Sequence, residues 1–128
     1  VSVRVEAEIS ELPPEEQRAF LAAMGLTETA LDLVIGACAR LLDLITFYTI
    51  ANDKLRAWHL QRGATAVEAA GKIHCDMATG FIRAEIVRLV DLVQWKGRAA
   101  LHEHGLVHVA GRDAVVHDRD VLQILFKA

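Results

Sequence analysis

The chain of 128 residues is long enough for one domain with an additional segment, but too short for two full domains. Hydrophobic residues make up 53% of it and charged residues 24%, which is typical of a folded globular protein and excludes a disordered one. No apolar run approaches the roughly 20 residues of a membrane span, and no secretory signal is recognisable. Two cysteines without CxxC spacing, Cys38 and Cys75, indicate reduced thiols in a cytoplasmic protein.

The formal net charge of −3 is unevenly distributed along the chain. Residues 1–43 carry three arginines against eight acidic residues, whereas residues 44–128 carry eleven Lys or Arg against nine Asp or Glu, together with all six histidines. The second part could therefore meet a polyanion, which the first part would repel. The same counts are compatible with two solvated surfaces of different composition.

The first part of the chain predicts one strand and a helical hairpin. Its first nine residues have the character of a strand. A helix is expected to begin at Pro13–Pro14, since proline is tolerated in the first helical turn, and to end near Gly25. A second helix is expected from about Glu28, with Thr27 as its N-cap and with Cys38 on an apolar stripe that packs in the core.

The second part predicts a mixed sheet crossed by one helix. A slim, alanine-rich helix capped by Thr65 lies between the second and third strands, and a helical excursion at 91–105 follows the third. This order indicates an α+β fold of the β-grasp (ubiquitin-like) type. The predicted strands, bounded by turn residues and rich in β-branched or alternating side chains, lie at 44–50, 54–60, 81–89, 107–110, 115–116 and 121–126.

The junction between the alanine-rich helix and the third strand contains His74 and Asp76, which could have either a structural or a chemical role. Asp76 is expected to cap a short turn, and Gly80 to end that turn with a positive φ. His74 beside Asp76 could form an acid–base pair, but no nucleophile or set of oxyanion donors accompanies it. The competing interpretation is a buried histidine held by a carboxylate or a carbonyl. We therefore assign His74, Asp76 and Gly80 to the structure of the junction.

Gly71–Lys72 is the nearest match to a nucleotide-binding P-loop. The motif needs a glycine where this chain has Ala66 and a Ser or Thr where it has Ile73. The pair is also expected inside a helix, where its backbone amides are unavailable to phosphate. We therefore predict no nucleotide site and no catalytic residues in this chain.

The histidines near the end of the helical excursion could suggest zinc. On a helix, however, His102 and His104 point about 200° apart, and Gly105 separates His104 from His108. Exposed surface histidines are the simpler interpretation, and we predict no metal site.

Candidate nucleic-acid contacts surround the first hairpin, the helix and the third strand. Trp58, with Arg56 and His59 close by, could stack on a base, although a tryptophan in a strand more often belongs to a core or an interface. The basic residues suited to contacting phosphate are Arg56, Arg62, Lys72 and Arg83.

Several ordered segments of the chain resemble one protein family. Residues 73–85, I-H-C-D-M-A-T-G-F-I-R-A-E, are similar to the signature I-H-[ST]-D-x-x-x-G-F-I-R-A-E of the YchF subfamily of Obg-like P-loop ATPases. Leu44–Trp58, Arg62–His74 and Gly111–Leu122 resemble further segments of that family. Glu6–Leu26 resembles the link between its nucleotide-binding and C-terminal domains, so the resemblance covers essentially the whole chain.

The resemblance implies a TGS domain, which is a β-grasp module, at 44–128. It implies the last strand of a nucleotide-binding domain plus a helical linker at 1–43. The chain, which opens at Val1, would then be a piece of a longer protein that hydrolyses ATP or GTP. The nucleotide and its Mg²⁺ would be bound in the missing domain, with no cofactor in this piece.

The resemblance also suggests two functions for the module. The first is a non-catalytic, cytoplasmic module that contacts RNA or the ribosome and no membrane. The alternative is a regulatory module that docks on the nucleotide-binding domain of its own parent protein, without direct RNA contact.

The chain departs from the family pattern at a few positions. Cys75 replaces the usual Ser or Thr, which exchanges a hydroxyl for a weaker donor. Arg119 replaces the Gly of a D-G-D turn, where it is expected to strain or lengthen the turn and adds a cation. Asn52 replaces a Gly of the first hairpin turn, where asparagine tolerates the left-handed conformation.

Overall fold

The computed structural model describes residues 2–51 and 54–128. They form two compact units, which divide between Leu42 and Asp43. The predicted turn at Asn52 therefore lies outside the described residues. None of the described helices is both long and apolar enough to cross a membrane. The helices are α1 (Val3–Glu11), α2 (Pro14–Ala23), α3 (Ala30–Leu41), α4 (Ala66–Ile73), α5 (Cys75–Thr79), α6 (Leu89–Trp95) and α7 (Arg98–Glu103). The strands are β1 (Leu44–Ala51), β2 (Lys54–Gln61), β3 (Phe81–Arg88), β4 (His108–Ala110) and β5 (Asp120–Phe126).

Helix α1 occupies the stretch that was expected to be a strand, so that prediction is wrong. The alternation of Val and polar residues conceals a second pattern, in which Val5, Ile9 and Leu12 recur at the spacing of one helical face. Ile9 is buried. Arg4 and Glu8, one turn apart, form an exposed ion pair of 3.6 Å. The helical period therefore describes this stretch better than the period of a strand.

Helices α2 and α3 form where the two helices of the hairpin were predicted, with two corrections, and their packing against each other stays a prediction. Helix α2 begins at the paired prolines, and Gly25 follows it with φ 70°. The N-cap of α3 is Thr29 rather than Thr27, and its hydroxyl oxygen accepts a hydrogen bond of 3.1 Å from the backbone N–H of Asp32. Cys38 is exposed, so the prediction that it packs in the core is wrong. The spacing of the apolar residues around Cys38 predicts a helix, but it does not show which part of the protein, if any, packs against that side of the helix.

The second unit is built on a five-stranded sheet in the order β2-β1-β5-β3-β4. Strands β1 and β5 are parallel and the other neighbours antiparallel, which confirms the mixed β-grasp sheet. The strand expected at 115–116 is reduced to one isolated bridge between Thr65 and Val115.

One face of the sheet is covered by α4. The helix can lie close to the strands because Ala66, Ala69 and Ala70, all buried, point no bulky side chain toward them. The capping Thr65 precedes this helix as predicted. The buried residues that surround these alanines are Ile45, Phe47, Leu60, Phe81, Ala84, Val116 and Leu122.

The segment between β3 and β4 covers part of the opposite face. The single excursion expected there consists of two short helices, separated by Lys96 with φ 42° and by Gly97. Leu101 of α7 is only 1% exposed, and Arg98 forms an ion pair with Glu85 of β3. Between these helices and the sheet lies a cavity of ≈ 390 Å³, whose apolar lining is Ile50, Val87, Leu92, Leu101, Val107, Val121 and Leu122.

The two ends of the sheet differ in what they carry. We call one the hairpin end: there β1 passes into β2 at the pair Ala51–Lys54, and the start of β3 meets the end of β5 at the pair Phe81–Phe126. Helix α4 starts at the opposite end, after β2, and leads through α5 to the start of β3. Its last turn is therefore directed toward the hairpin end.

Candidate nucleic-acid interface

Three of the predicted phosphate contacts lie toward the hairpin end of the sheet. Arg56 pairs with Thr49 near the first hairpin, and Arg83 pairs with Leu125 near the start of β3. Lys72 lies in the last turn of α4. All three side chains are exposed. The topology thus brings together cations that are up to 27 positions apart in the chain.

These cations surround the end of the sheet and do not form a flat patch. Arg56 has the same strand parity as Trp58, which places it on the face covered by α4. Arg83 has the parity opposite to the buried Ala84, which places it on the other face. With β1 and β5 between their strands, the two backbones are about 14 Å apart, because neighbouring strands lie about 4.8 Å apart. A ligand that touches both must reach around the sheet end.

The structure places Arg62 at the opposite end of the sheet. Its Nε donates a hydrogen bond of 2.9 Å to Oδ1 of Asp43, and its backbone N–H donates one of 3.0 Å to the Asp43 carbonyl. Six residues of extended chain separate it from Arg56, a distance of about 20 Å. Arg62 therefore does not share a surface with the other predicted contacts, and its charge is balanced locally.

Trp58 is half-buried and packs against the core under α4. Its indole N–H donates a hydrogen bond of 2.9 Å to Oγ1 of Thr49 on the neighbouring strand. The packing and this hydrogen bond favour the core interpretation of Trp58, and we leave it out of the contact surface proposed below.

Two further cations, not among the predicted phosphate contacts, lie at the hairpin end. Lys54 is the first residue of β2, and Lys127 follows β5, with its backbone N–H donating a hydrogen bond of 2.8 Å to the carbonyl of Gly80. Both are exposed. Only the strand order reveals that the two share one end of the sheet, because they lie 73 positions apart in the chain. We call Lys54, Arg56, Lys72, Arg83 and Lys127 the basic rim; none of them forms an ion pair with another described residue.

His74 and Asp76 occupy the start of α5, close to the basic rim. His74, rather than Asp76, is the N-cap: its Nδ1 accepts a hydrogen bond of 3.2 Å from the backbone N–H of Asp76. Both side chains are exposed, so the interpretation of His74 as a buried histidine is wrong. The imidazole takes the capping role because its ring reaches forward to the first turn of α5, where backbone N–H groups lack helical partners.

Gly80 ends α5 for a different reason from the one expected. Its φ is −89°, so the prediction of a positive φ is wrong. A Cβ atom at this position would lie 1.9 Å from the carbonyl oxygen of Lys127. The glycine is required by the close approach of the last residues of the chain, which sequence patterns do not show.

Cys75 lies between His74 and Asp76 with its side chain exposed. Its Sγ is 3.9 Å from Nδ1 of His74 and 3.8 Å from Oδ1 of Asp76. Among residues 2–51 and 54–128, these three form the single group of His, Cys and acidic side chains whose ligand atoms lie close enough to share a metal ion.

The P-loop-like pair Gly71–Lys72 lies inside α4. Its backbone amides are therefore committed to helical hydrogen bonds and cannot cradle a phosphate. The described residues around it do not fit an ATP or GTP site.

The comparison with known proteins agrees with the fold. A family model named YchF-GTPase_C, described as a protein of unknown function (DUF933), matches residues 44–127. The ribosome-binding ATPase YchF of Escherichia coli O157:H7 is 43% identical over 126 residues, and that of Bacillus subtilis is 42% identical. The match covers 98% of this chain but only 35% and 34% of those proteins, so the chain spans about a third of their length.

A solved structure resembles the chain over the same range. The YchF GTPase of Schizosaccharomyces pombe is 26% identical with a TM-score of 0.86, and the match covers 98% of this chain and 33% of that protein. A GTP-binding protein of Pyrococcus horikoshii, at 18% identity and a TM-score of 0.54, shares the fold over 91% of this chain and 31% of its own. Because the family model matches most of this chain, the chain belongs to the YchF-GTPase_C family.

Proposed function

We propose that this chain is the non-catalytic C-terminal module of a YchF-like nucleotide-binding protein and that its basic rim contacts ribosomal RNA. The observation that carries the proposal is the collection of five exposed cations at one end of the sheet, from four segments of the chain. Relatives of the chain are named ribosome-binding ATPases, which supports a ribosomal partner.

The chemistry of the basic rim suits a phosphate backbone better than a protein surface. Lys and Arg that are exposed and not neutralised by described neighbours release counterions from RNA when they bind, and this release drives association. A polyanion can also bend around the sheet end and so reach Arg56 on one face and Arg83 on the other. ATP or GTP and Mg²⁺ belong, in this proposal, to the nucleotide-binding domain of the parent protein.

Cosedimentation of the 128-residue chain with ribosomes at low salt tests the proposal. We expect Arg56→Glu with Lys72→Glu to weaken binding at least about tenfold, because two phosphate contacts are lost and two repulsions appear. The matched control is Arg62→Glu with Arg88→Glu, which makes the same change of charge at the opposite end of the sheet. It should leave binding nearly unchanged.

Two outcomes would overturn the proposal. One is the absence of any ribosome binding at low salt by a chain that is folded. The other is an equal loss of binding in both double variants, which would show that only net charge matters and that the basic rim is not a site.

The alternative function, docking on the parent's own nucleotide-binding domain, is favoured by a different observation. Ile82 and Val109 of the second unit are large apolar residues exposed by 59% and 66%. If docking through them is the function, the chain should bind the separately prepared nucleotide-binding domain, and Ile82→Glu should weaken that complex. The double rim variant should then leave the complex intact.

A further inference from the structure

The side chains of His74, Cys75 and Asp76 present three different ligand atoms toward one point. Nδ1 of His74 is 3.4 Å from Oδ2 of Asp76, and Sγ of Cys75 is 3.9 Å from that nitrogen and 3.8 Å from Oδ1 of Asp76. The three residues are consecutive, and they converge because the backbone turns there from an extended His74 into the first turn of α5. A hydrogen bond of 3.1 Å from the Thr79 hydroxyl to the Cys75 carbonyl supports this turn.

These separations approach the edges of a tetrahedron around a zinc ion. Bonds of about 2.3 Å to sulfur and about 2.0–2.2 Å to nitrogen and oxygen, at tetrahedral angles, place the ligand atoms about 3.3–3.6 Å apart. The 3.4 Å and 3.8 Å edges involve different oxygens of Asp76; with a single oxygen as the ligand, the three ligand atoms lie within 4.8 Å of one another, so the longest edge exceeds the tetrahedral values by up to about 1.2–1.5 Å. All three side chains are exposed and can close that gap by rotating about their side-chain torsions.

The donor set also selects the class of metal. Mg²⁺ and Ca²⁺ prefer oxygen ligands alone, whereas imidazole and thiolate together suit Zn²⁺ and related borderline-soft ions. On binding, the Cys75 thiol would release its proton to solvent, because the thiolate is the ligand form. The Asp76 amide, which now donates to Nδ1 of His74, would exchange that bond for water, which the exposed position allows.

We propose that His74, Cys75 and Asp76 bind one Zn²⁺ or chemically similar divalent ion, with water in the fourth position. The site depends on a residue particular to this chain, because the family signature has Ser or Thr where Cys75 stands. None of the three ligands belongs to the basic rim, so metal binding can be measured without RNA.

Titration of the 128-residue chain with Co²⁺, which substitutes for Zn²⁺, tests the site under a reductant that does not bind metals. We expect a near-ultraviolet thiolate-to-cobalt band that saturates at one equivalent and is abolished by added Zn²⁺. Cys75→Ser should remove the band, and His74→Ala or Asp76→Asn should weaken cobalt binding at least about tenfold, as even supporting groups of metal sites commonly do.

Cys38→Ser is the matched control, because Cys38 is also an exposed free thiol but belongs to the first unit. It should retain the band at full intensity. The proposal is overturned if the folded wild-type chain gives no thiolate–cobalt band, if the band survives Cys75→Ser, or if Cys38→Ser removes it. Circular dichroism of each variant establishes that the chain is folded, and Cys75→Ser restores the side chain of the family signature.

Discussion

At Gly80, the carbonyl oxygen of Lys127 lies where a Cβ atom would have to be, at 1.9 Å from its ideal position. The backbones are held together there by the hydrogen bond of 2.8 Å from the Lys127 N–H to the Gly80 carbonyl. We expect Gly80→Ala to lower the free energy of unfolding by at least about 1–3 kcal/mol, which is the usual cost of overpacking. A urea titration measures this change.

Gly111→Ala is the control for this substitution. No atom lies within 4 Å of a Cβ built at Gly111, so the change should be close to neutral. If both alanine variants have the same stability, the close approach of Lys127 to Gly80 does not exist in solution.

Arg119 stands in a turn where its φ is 63°, the left-handed region that glycine tolerates and other residues adopt at a cost. The turn is fixed by hydrogen bonds from the Arg119 N–H to the Thr46 carbonyl, at 2.7 Å, and from the Leu89 N–H to the Arg119 carbonyl. The strain expected at this departure from the family's D-G-D turn is therefore present.

We expect Arg119→Gly to stabilise the chain by about 0.5–1 kcal/mol, since relief of the left-handed strain exceeds the entropy that glycine adds to the unfolded chain. Thermal or urea unfolding measures the change. Arg83→Gly, made at extended backbone in β3, should destabilise instead. A loss of stability in Arg119→Gly would mean that the arginine side chain contributes contacts that outweigh the strain.

Among the elements, α4 has a capping interaction that responds to pH. Oε2 of Glu68 accepts hydrogen bonds from the backbone N–H of Thr65, at 2.7 Å, and from its hydroxyl, at 3.0 Å. These bonds, the backbone one first, lower the pKa of Glu68 below its usual value of 4.5. The carboxylate therefore stabilises the fold fully above the pKa of the unfolded chain, and the stabilisation is lost as the pH falls through the lower folded pKa.

We expect the stability difference between the wild type and Glu68→Gln to be constant near neutral pH and to shrink as the pH falls below about 4.5. Urea unfolding at a series of pH values measures it. Thr65→Ala, which keeps the backbone donor and removes the hydroxyl, should retain part of this acid dependence. A difference that does not vary with pH would show that the ionised carboxylate has no role in the cap.

The elements that the sequence predicted well are those with a strong local pattern. The strands of the first hairpin and the last strand were predicted within one residue of their observed bounds, and the alanine-rich helix begins directly after Thr65 as predicted. Helix α1 was mistaken for a strand because Val3 and Val5 alternate with polar residues, while the helical spacing of Val5 and Ile9 was the pattern that prevailed. The break between α6 and α7 falls at the left-handed Lys96 and at Gly97, and this glycine is a local signal of a helix end that the prediction of one excursion did not use.

At the scale of the whole molecule, the β-grasp topology decides which candidate residues become neighbours. Arg56 and Arg62 are close in sequence but lie at opposite ends of one strand, whereas Arg56 and Lys72 are brought toward the same end by the return of α4 across the sheet. Spacing along the chain predicted the candidates, but their grouping depends on register and strand order. The group His74, Cys75 and Asp76 was not predicted as a metal site, although its residues are consecutive, because only clusters of histidines were considered as metal ligands.

The net charge of the chain is −3, so net charge alone would not favour binding to RNA. The proposed contact depends instead on the few positions of the basic rim. Residues at the opposite end of the sheet carry cations too, but Arg62 there is paired with Asp43 at 2.9 Å. The two ends can therefore be distinguished experimentally by how each responds to salt.

The most direct measurement is the affinity of the chain for ribosomes over a series of salt concentrations. The account predicts that the logarithm of the binding constant falls linearly with the logarithm of the salt concentration. Arg56→Gln and Lys72→Gln should each make that slope shallower by about 0.7–0.9, the contribution of one released counterion, while Arg62→Gln leaves it unchanged. A wild-type slope near zero, or an equal change of slope in Arg62→Gln, would contradict RNA contact through the basic rim.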